Sequence, residues 1–224
     1  MCGRYTLYCS ATELAELIGA PLSEHLLSVY RTGRGYNVAP SQTAPIVVIE
    51  NRGRTIMPAL WGFRPAWARQ DAPTPINARA ESVFDKPFFR QAIRQRRCLV
   101  PSTGWYEWQT VSRTEKRPFF IRPDRAGLFA FAGLYEPSDE VPGATFAIIV
   151  GKAAEGLSSL HPRQPVIIPA SDYETWLDPR TPRARLEAML AFREHRYERQ
   201  PADKRVGNPR NDDPSLLASR HEPR

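Results

Sequence analysis

The sequence of 224 residues has no long apolar run, little lysine and few cysteines. No stretch approaches the roughly 18–20 apolar residues that a helix needs to cross a bilayer, which argues against a membrane-spanning protein. The start of the chain lacks the charged, apolar and small-residue regions of a secretory signal, so we expect a cytoplasmic protein. The three cysteines, Cys2, Cys9 and Cys98, are widely spaced and form no C-x-x-C pair. This pattern argues against a disulfide framework and against a zinc site, and it predicts free thiols.

Lysine is scarce because arginine supplies most of the positive charge: 4 of the 31 basic residues are lysines, which leaves 27 arginines. With 24 acidic residues, the formal net charge is +7. A basic protein favours polyanionic partners, and the guanidinium group makes forked contacts with phosphate and stacks on bases. A GC-rich genome, which replaces lysine by arginine throughout a proteome, explains the arginine content equally well. Charge alone therefore does not identify a nucleic-acid partner.

Short β-type runs dominate the body of the chain. Helices are predicted over 11–18, where Ser10 or Thr12 caps apolar residues at helical spacing, and over about 86–95 and 182–198. Many short strands and few long helices predict an α+β fold, with a mostly antiparallel sheet curled into a barrel-like form and peripheral helices. Eight strands are predicted between proline, glycine and polar turns, over 44–50, 55–60, 98–100, 105–108, 119–122, 129–134, 145–150 and 165–168.

The composition shifts near residue 195. Residues 1–195 contain no repeat or low-complexity tract and are predicted to form a single domain, which we expect to be a monomer. Residues 196–224 are polar with few large apolar side chains, which predicts a partly disordered extension. Removal of its last residues is therefore expected to have little effect.

Four arginines fall on or just after the predicted helix over 86–95. Arg90, Arg94 and Arg97 are spaced i, i+4 and i+7 and would share one helix face, with Arg96 beside them. Such a face either lies along phosphates or is a solvated face with acidic neighbours in space. The sequence leaves both interpretations open.

Cys2 directly follows the initiator methionine, and a small second residue normally permits removal of that methionine. Cysteine then becomes the first residue, with its amine and thiol on adjacent carbons. Their reference pKa values of about 7.7–8.0 and about 8.5 leave part of the amine neutral and the thiolate accessible at physiological pH. An aldehyde that meets this pair forms an imine with the amine, and the thiol then closes a five-membered thiazolidine. A cysteine at position two also arises by chance, so its position alone does not establish this chemistry.

Six separate motifs occur in an order that is similar to one protein family. They are MCGRY (1–5), YNVAPSQ (36–42), WGFRPAWA (61–68), INARAES (76–82), RRCLVPSTGWYEW (96–108) and LHPRQPVII (160–168). Together with the cysteine at position 2, they resemble the SRAP (SOS response-associated peptidase) family from residue 1 to about 170, with RVGNPRNDDPSLL (205–217) as a candidate further motif. The resemblance implies a DNA-damage enzyme of lyase or peptidase type that senses abasic sites in single-stranded DNA. It implies a thiazolidine crosslink through the N-terminal cysteine that shields the lesion, a capacity to reverse that crosslink, and no metal or organic cofactor.

The resemblance assigns four catalytic residues: Cys2 as the nucleophile, with Asn77, Glu107 and His161. Glu107 would be the general acid or base, because a dry aromatic pocket raises the pKa of a carboxyl group toward a useful value. His161 would donate to the sugar oxygen or a phosphate as the ring opens. Asn77 would orient the amine and bond the opened-sugar hydroxyl. Without the resemblance, residues of these three types in such positions are more often structural.

The resemblance also assigns DNA-binding residues. Arg4 and Arg79 would clamp the phosphates on either side of the lesion, and Trp67 would stack on or wedge a base. Arg163 would be a further phosphate ligand. All of these side chains have an ordinary structural interpretation as well.

Two positions depart from the family pattern. Gly151 and Lys152 stand where threonine is common, and Pro162 stands where aspartate is common, which removes a carboxylate that could orient His161. Two other functions stay open: an N-terminal-nucleophile amidohydrolase that cleaves amides without DNA, and a noncovalent single-stranded DNA binding module in which Cys2 is incidental.

Overall fold

The computed structural model describes residues 2–19, 35–50, 53–69, 71–124, 127–141, 143–192 and 196–217. The strands are β1 (Tyr5–Thr6), β2 (Thr43–Glu50), β3 (Gly53–Trp61), β4 (Asn77–Arg79), β5 (Arg97–Ser102), β6 (Gly104–Thr110), β7 (Lys116–Pro123), β8 (Phe129–Pro137), β9 (Ala144–Lys152), β10 (Arg163–Pro165), β11 (Ile167–Ile168) and β12 (Tyr197–Pro201). The α-helices are α1 (Ala11–Ile18), α2 (Ala92–Gln95), α3 (Glu155–Ser158), α4 (Tyr173–Leu177) and α5 (Arg183–Leu190). None of the helices in these ranges is long and apolar enough to cross a bilayer.

The larger of two sheets has eight strands and curls back on itself. Its order is β10-β9-β3-β2-β5-β8-β11, β4 also pairs with β9, and an additional pairing joins β8 to β9. The pairings from β9 through β3, β2, β5 and β8 therefore return to β9. Only the pairings of β9 with β3 and β4 are parallel. The predicted α+β class, with a mostly antiparallel and curled sheet, is confirmed.

The smaller sheet has the order β1-β6-β7-β12 and is antiparallel throughout. Its centre is apolar because Trp105 and Ile121, which are directly opposite each other on β6 and β7, are both buried. Trp105 also lies edge-on to Phe131 of β8, with ring centroids 5.9 Å apart. The two sheets thus share one apolar core around the start of the chain.

The first helix forms as the sequence predicts. Ser10 and Glu13 make a reciprocal capping box at its start, and Gly19 ends it in the left-handed conformation with φ 70°. The helix predicted over 86–95 is shorter, because residues 80–91 form turns and only Ala92–Gln95 are α-helical. The helix predicted over 182–198 ends at Leu190, where the buried apolar spacing stops and Ala191 is extended.

The polar segment over 196–217 differs from the predicted extension. Its first part is β12, which pairs with β7 from Tyr197 to Pro201. The few apolar side chains that follow, Ala202, Val206 and Leu216, are buried against Tyr106 and Phe120. The segment is therefore part of the same packed unit; residues 218–224 lie outside the described residues.

The four arginines near α2 do not form one face. Arg97 points inward and is only 2% exposed, with its guanidinium donating to the carbonyls of Ile93, Arg94, Trp176 and Asp178. Arg96 pairs with the carboxylate of Glu136 through Nε (3.0 Å) and Nη2 (2.8 Å). Arg90 and Arg94 are exposed. The interpretation as a single phosphate-binding face is wrong, because β5 begins at Arg97 and turns that side chain into the core.

Candidate active site

The segment over 2–6, which carries Cys2 and ends in β1, lies between two other chain segments. On one side it meets β6, where Tyr5 is opposite Trp105 and the Tyr106 N–H donates to the Arg4 carbonyl (3.0 Å). On the other side, Tyr5 and Val38 exchange two backbone hydrogen bonds of 3.1 and 2.9 Å. Cys2 is fully buried in this arrangement.

Asn77 binds directly to the residue that carries the candidate nucleophile. Its Nδ2 donates to the Cys2 carbonyl at 2.9 Å, although 75 residues separate the two in sequence. Asn77 is the first residue of β4, and its pairing with Ile148 of β9 holds it in place. Its Oδ1 is buried and has no hydrogen-bond partner among the described residues. That oxygen is therefore available to accept a hydrogen bond from an amine or a hydroxyl group.

Glu107 lies on β6 beside the same position and is only 5% exposed. The antiparallel register that pairs Tyr5 with Trp105 places Glu107 opposite Gly3, next to Cys2. Burial raises the pKa of Glu107, and the positive charge of the amino terminus opposes this shift. Burial also raises the pKa of the Cys2 thiol, and the negative charge of Glu107 raises it further. The two groups thus interact electrostatically in a dry environment.

His161 lies in the loop between α3 and β10. Its Nδ1 lies 3.0 Å from the backbone N of Arg163 and 3.1 Å from the Arg163 carbonyl oxygen, so it accepts from the first or donates to the second according to its tautomer. Burial lowers the pKa of His161, as do the positive charges of the amino terminus and of Arg163. The backbone of its own loop thus orients the ring, although Pro162 removes a carboxylate that could have done so.

The DNA-binding candidates have different surroundings. Arg79 is exposed, and Trp67 is 61% exposed with its ring edge-on to Phe88, centroids 5.7 Å apart. Arg163 is engaged with both carboxylate oxygens of Glu81, at 3.0 and 2.9 Å.

Arg4 is held by the protein itself. Its Nη1 donates to Asn37 Oδ1 (2.9 Å) and to the Val206 carbonyl (2.6 Å), and its Nη2 donates to the Gly207 carbonyl (3.0 Å). A guanidinium has five N–H groups, so two remain for any contact with a phosphate.

Sequence reasoning missed three side chains around these residues. Glu81 pairs with Arg163, Asp212 binds the loop that precedes Val38, and the fully buried Tyr5 has a hydroxyl group with no partner among the described residues. Tyr5 and Glu81 lie inside the quoted motifs MCGRY and INARAES, so position within a motif is the signal that could have identified them. Asp212 lies in the segment that was interpreted as an extension. The described residues contain no cluster of three or more His, Cys, Asp or Glu side chains suited to a metal ion.

The family model for SOS response associated peptidase (SRAP) matches residues 1–209. The chain belongs to the SRAP family. This SRAP chain is 32% identical over 226 residues to the abasic site processing protein YoqW of Bacillus subtilis (strain 168), which covers 98% of this chain and 100% of that protein. It is 25% identical to the abasic site processing protein YedK of Escherichia coli (strain K12), with 97% of this chain and 99% of that protein covered. It is 26% identical to the abasic site processing protein HMCES of Mus musculus, with 82% of this chain and 64% of that protein covered.

Solved structures share the SRAP chain's fold. A crystal structure of a protein from Bacteroides thetaiotaomicron superposes with a TM-score of 0.80 at 24% identity and covers 96% of this chain and 98% of that one. A crystal structure of a phage-related protein from Bordetella bronchiseptica gives a TM-score of 0.73 at 26% identity and covers 91% of this chain and 95% of that one.

Proposed function

We propose that this SRAP protein processes abasic sites in single-stranded DNA by forming a covalent crosslink through Cys2 after removal of Met1. The observation that carries the proposal is the meeting of Cys2 with Asn77 and Glu107 at one buried position. The names of the relatives, which describe abasic site processing, support the same substrate.

The reaction needs only the new amino terminus and side chains. The Cys2 amine attacks the aldehyde carbon of the ring-opened sugar, and the resulting carbinolamine loses one water to give an imine. The thiol sulfur then adds to the imine carbon, and its proton passes to the nitrogen, which closes the thiazolidine. The net change is the loss of one water, with no oxidant or reductant involved.

Glu107 is suited to carry out the proton transfers that these steps need. As a carboxylate it accepts the proton that the ammonium form of the amine must lose, and as a carboxylic acid it protonates the hydroxyl group that leaves as water. A carboxyl group whose pKa is raised by burial populates both forms closer to neutral pH. It also relays the proton of the Cys2 thiol to the imine nitrogen during ring closure, because the raised pKa of the thiol keeps it protonated until the imine forms.

Asn77 and His161 are suited to bind the sugar and to assist the opening of its ring. Asn77 holds the Cys2 backbone through Nδ2 and offers the unpartnered Oδ1 to the amine or to a sugar hydroxyl. Burial lowers the pKa of His161 and favours the neutral imidazole, which in its Nε2–H tautomer donates to the sugar oxygen as the ring opens. The exposed Arg79 and Trp67 provide a phosphate contact and a stacking surface for the flanking nucleotides.

Intact mass spectrometry tests the proposed chemistry. Protein without Met1 is incubated with a single-stranded oligonucleotide that carries one abasic site, and we expect a species at the sum of the two masses minus one water. An undamaged oligonucleotide, and protein with an uncleaved tag before Cys2, are the controls and should give no such species. If protein without Met1 binds the damaged DNA but no adduct forms, the covalent proposal is overturned in favour of a noncovalent binding module. Turnover of amides without DNA would favour the amidohydrolase.

Substitution of Glu107 by glutamine measures two effects: the contribution of the carboxyl group to the rate of adduct formation, and the cost of burying its charge to the stability of the fold. We expect Glu107→Gln to slow adduct formation about 100-fold or more, because general acid–base groups contribute effects of that size. The folded-state pKa of Glu107 is raised, so the folded protein binds the proton more tightly and loses stability as the pH rises. The variant should therefore melt at a higher temperature than the wild type near pH 8, and the difference should shrink toward about pH 4.

Glu16→Gln, which changes an exposed acid on α1, is the matched control for this substitution. It should leave the rate of adduct formation unchanged. A Glu107→Gln variant that forms the adduct at the wild-type rate would exclude Glu107 as the acid or base.

A further inference from the structure

Residues 203–217, which we name the C-terminal clasp, fold back against the loop over 35–38, which pairs with β1 three residues after Cys2. Asp212 Oδ1 accepts three backbone N–H groups from that loop, those of Gly35 (3.1 Å), Tyr36 (2.6 Å) and Asn37 (3.1 Å). Hydrogen bonds to a charged acceptor are stronger than neutral ones. One aspartate of the clasp therefore fixes the backbone of three consecutive residues.

The side chain of Asn37 extends this connection. It is 1% exposed, and its Nδ2 donates to the clasp carbonyls of Val206 (3.2 Å), Asn208 (3.1 Å) and Asn211 (2.8 Å). Its Oδ1 accepts from Nη1 of Arg4 at 2.9 Å. The side chain thus joins the clasp to a residue two positions after Cys2.

Arg4 completes the link, since its guanidinium also donates to the clasp carbonyls of Val206 and Gly207. The next residue, Tyr5, pairs through its backbone with Val38, which directly follows Asn37. The chain of contacts runs from Asp212 through residues 35–38 to Arg4 and β1, and so to Cys2. Asn77 and the β6 strand hold the other side of the same segment.

We propose that the C-terminal clasp positions Cys2 for crosslink formation, with Asp212 and Asn37 as positioning residues that act through Arg4 and β1. This inference rests on the proposed function. Displacement of a reacting group by about 1 Å costs on the order of 100-fold in rate, because the reaction depends on a near-attack geometry. Loosening the clasp should therefore slow the covalent step, whereas DNA affinity depends on exposed side chains elsewhere.

The test measures adduct formation by Asp212→Ala as a function of the concentration of abasic oligonucleotide. We expect the rate constant at saturating DNA to fall at least about 10-fold, with the half-saturating DNA concentration changed by less than about twofold. Asp212→Asn keeps one acceptor oxygen and should fall between the alanine variant and the wild type. Asp139→Ala is the matched control, because Asp139 is exposed between β8 and β9, outside the clasp, and the variant should react like the wild type.

The amount of adduct at completion separates positioning from a loss of folded protein. A merely structural role would leave part of the Asp212→Ala sample unreactive while the rest reacts at the wild-type rate, and that result would overturn the proposal. If Asp212→Ala does not fold, Asp212→Asn decides by the same comparison of rate constant and final yield. Absence of any adduct with the wild type would refute the proposed function instead, so the two failures are distinguishable.

Discussion

A Cys2→Ala variant is expected to form no adduct that survives denaturation without a reductant, while its noncovalent affinity for the abasic oligonucleotide stays within about twofold. After removal of Met1 the variant still has an N-terminal amine next to Glu107. Borohydride should therefore trap an imine from the variant, whereas the wild-type thiazolidine needs no reductant. A denaturing gel run with and without borohydride makes the measurement.

Cys9→Ala is the matched control, and it should form the wild-type amount of adduct. Cys9 has no adjacent amine after processing, and burial raises its pKa to about 12, so its thiolate is scarce at neutral pH. Cys98 is fully buried, and burial raises its pKa as well. A reductant-independent adduct on Cys2→Ala would therefore contradict ring closure by Cys2.

Substitution of Arg97 by alanine is expected to lower the free energy of unfolding by about 3–5 kcal/mol. Its guanidinium satisfies four backbone carbonyls, two at α2 and two at the end of α4, from a position at the start of β5. Alanine would leave these acceptors without donors and open a cavity beside Trp176, whose ring lies 5.9 Å from the Arg97 Cζ atom. Chemical denaturation monitored by tryptophan fluorescence measures the loss.

Arg94→Ala removes an exposed arginine three positions away and serves as the comparison. It should change the free energy of unfolding by less than about 0.5 kcal/mol. Equal effects from the two substitutions would show that the buried network around Arg97 is not what stabilises this junction.

The sequence predicts the elements of this fold where local and tertiary preferences agree. Helix α1 has its capping box, and all eight predicted β-type runs contain strands, because alternating or continuous apolar residues meet a core there. The strands that were missed, β1, β4 and β12, are short or polar. They are strands because neighbouring strands offer them hydrogen-bonding edges, which no local pattern reveals.

The candidate site is predictable in its residue types but not in its connections. The motif order selects Cys2, Asn77 and Glu107, yet the contact of Asn77 with the Cys2 backbone depends on how β4 pairs with β9. The resemblance assigns Arg4 as a phosphate ligand, and no sequence pattern indicated that the fold also directs its guanidinium to the carbonyls of Val206 and Gly207. The low content of large apolar side chains predicted a partly disordered C-terminal extension. The clasp is held chiefly by hydrogen bonds, which composition does not indicate.

The contacts of Arg4 also bear on when, during synthesis of the chain, the clasp can hold β1. They reach residues 202 and 203 positions later in the chain, so Arg4 gains these two acceptors only after that many further residues have been synthesised. At about 5–20 residues per second, translation of that interval takes about 10–40 s. During this interval Arg4 lacks its acceptors on the clasp, so the contacts by which the clasp holds β1 form only after Val206 and Gly207 have been synthesised.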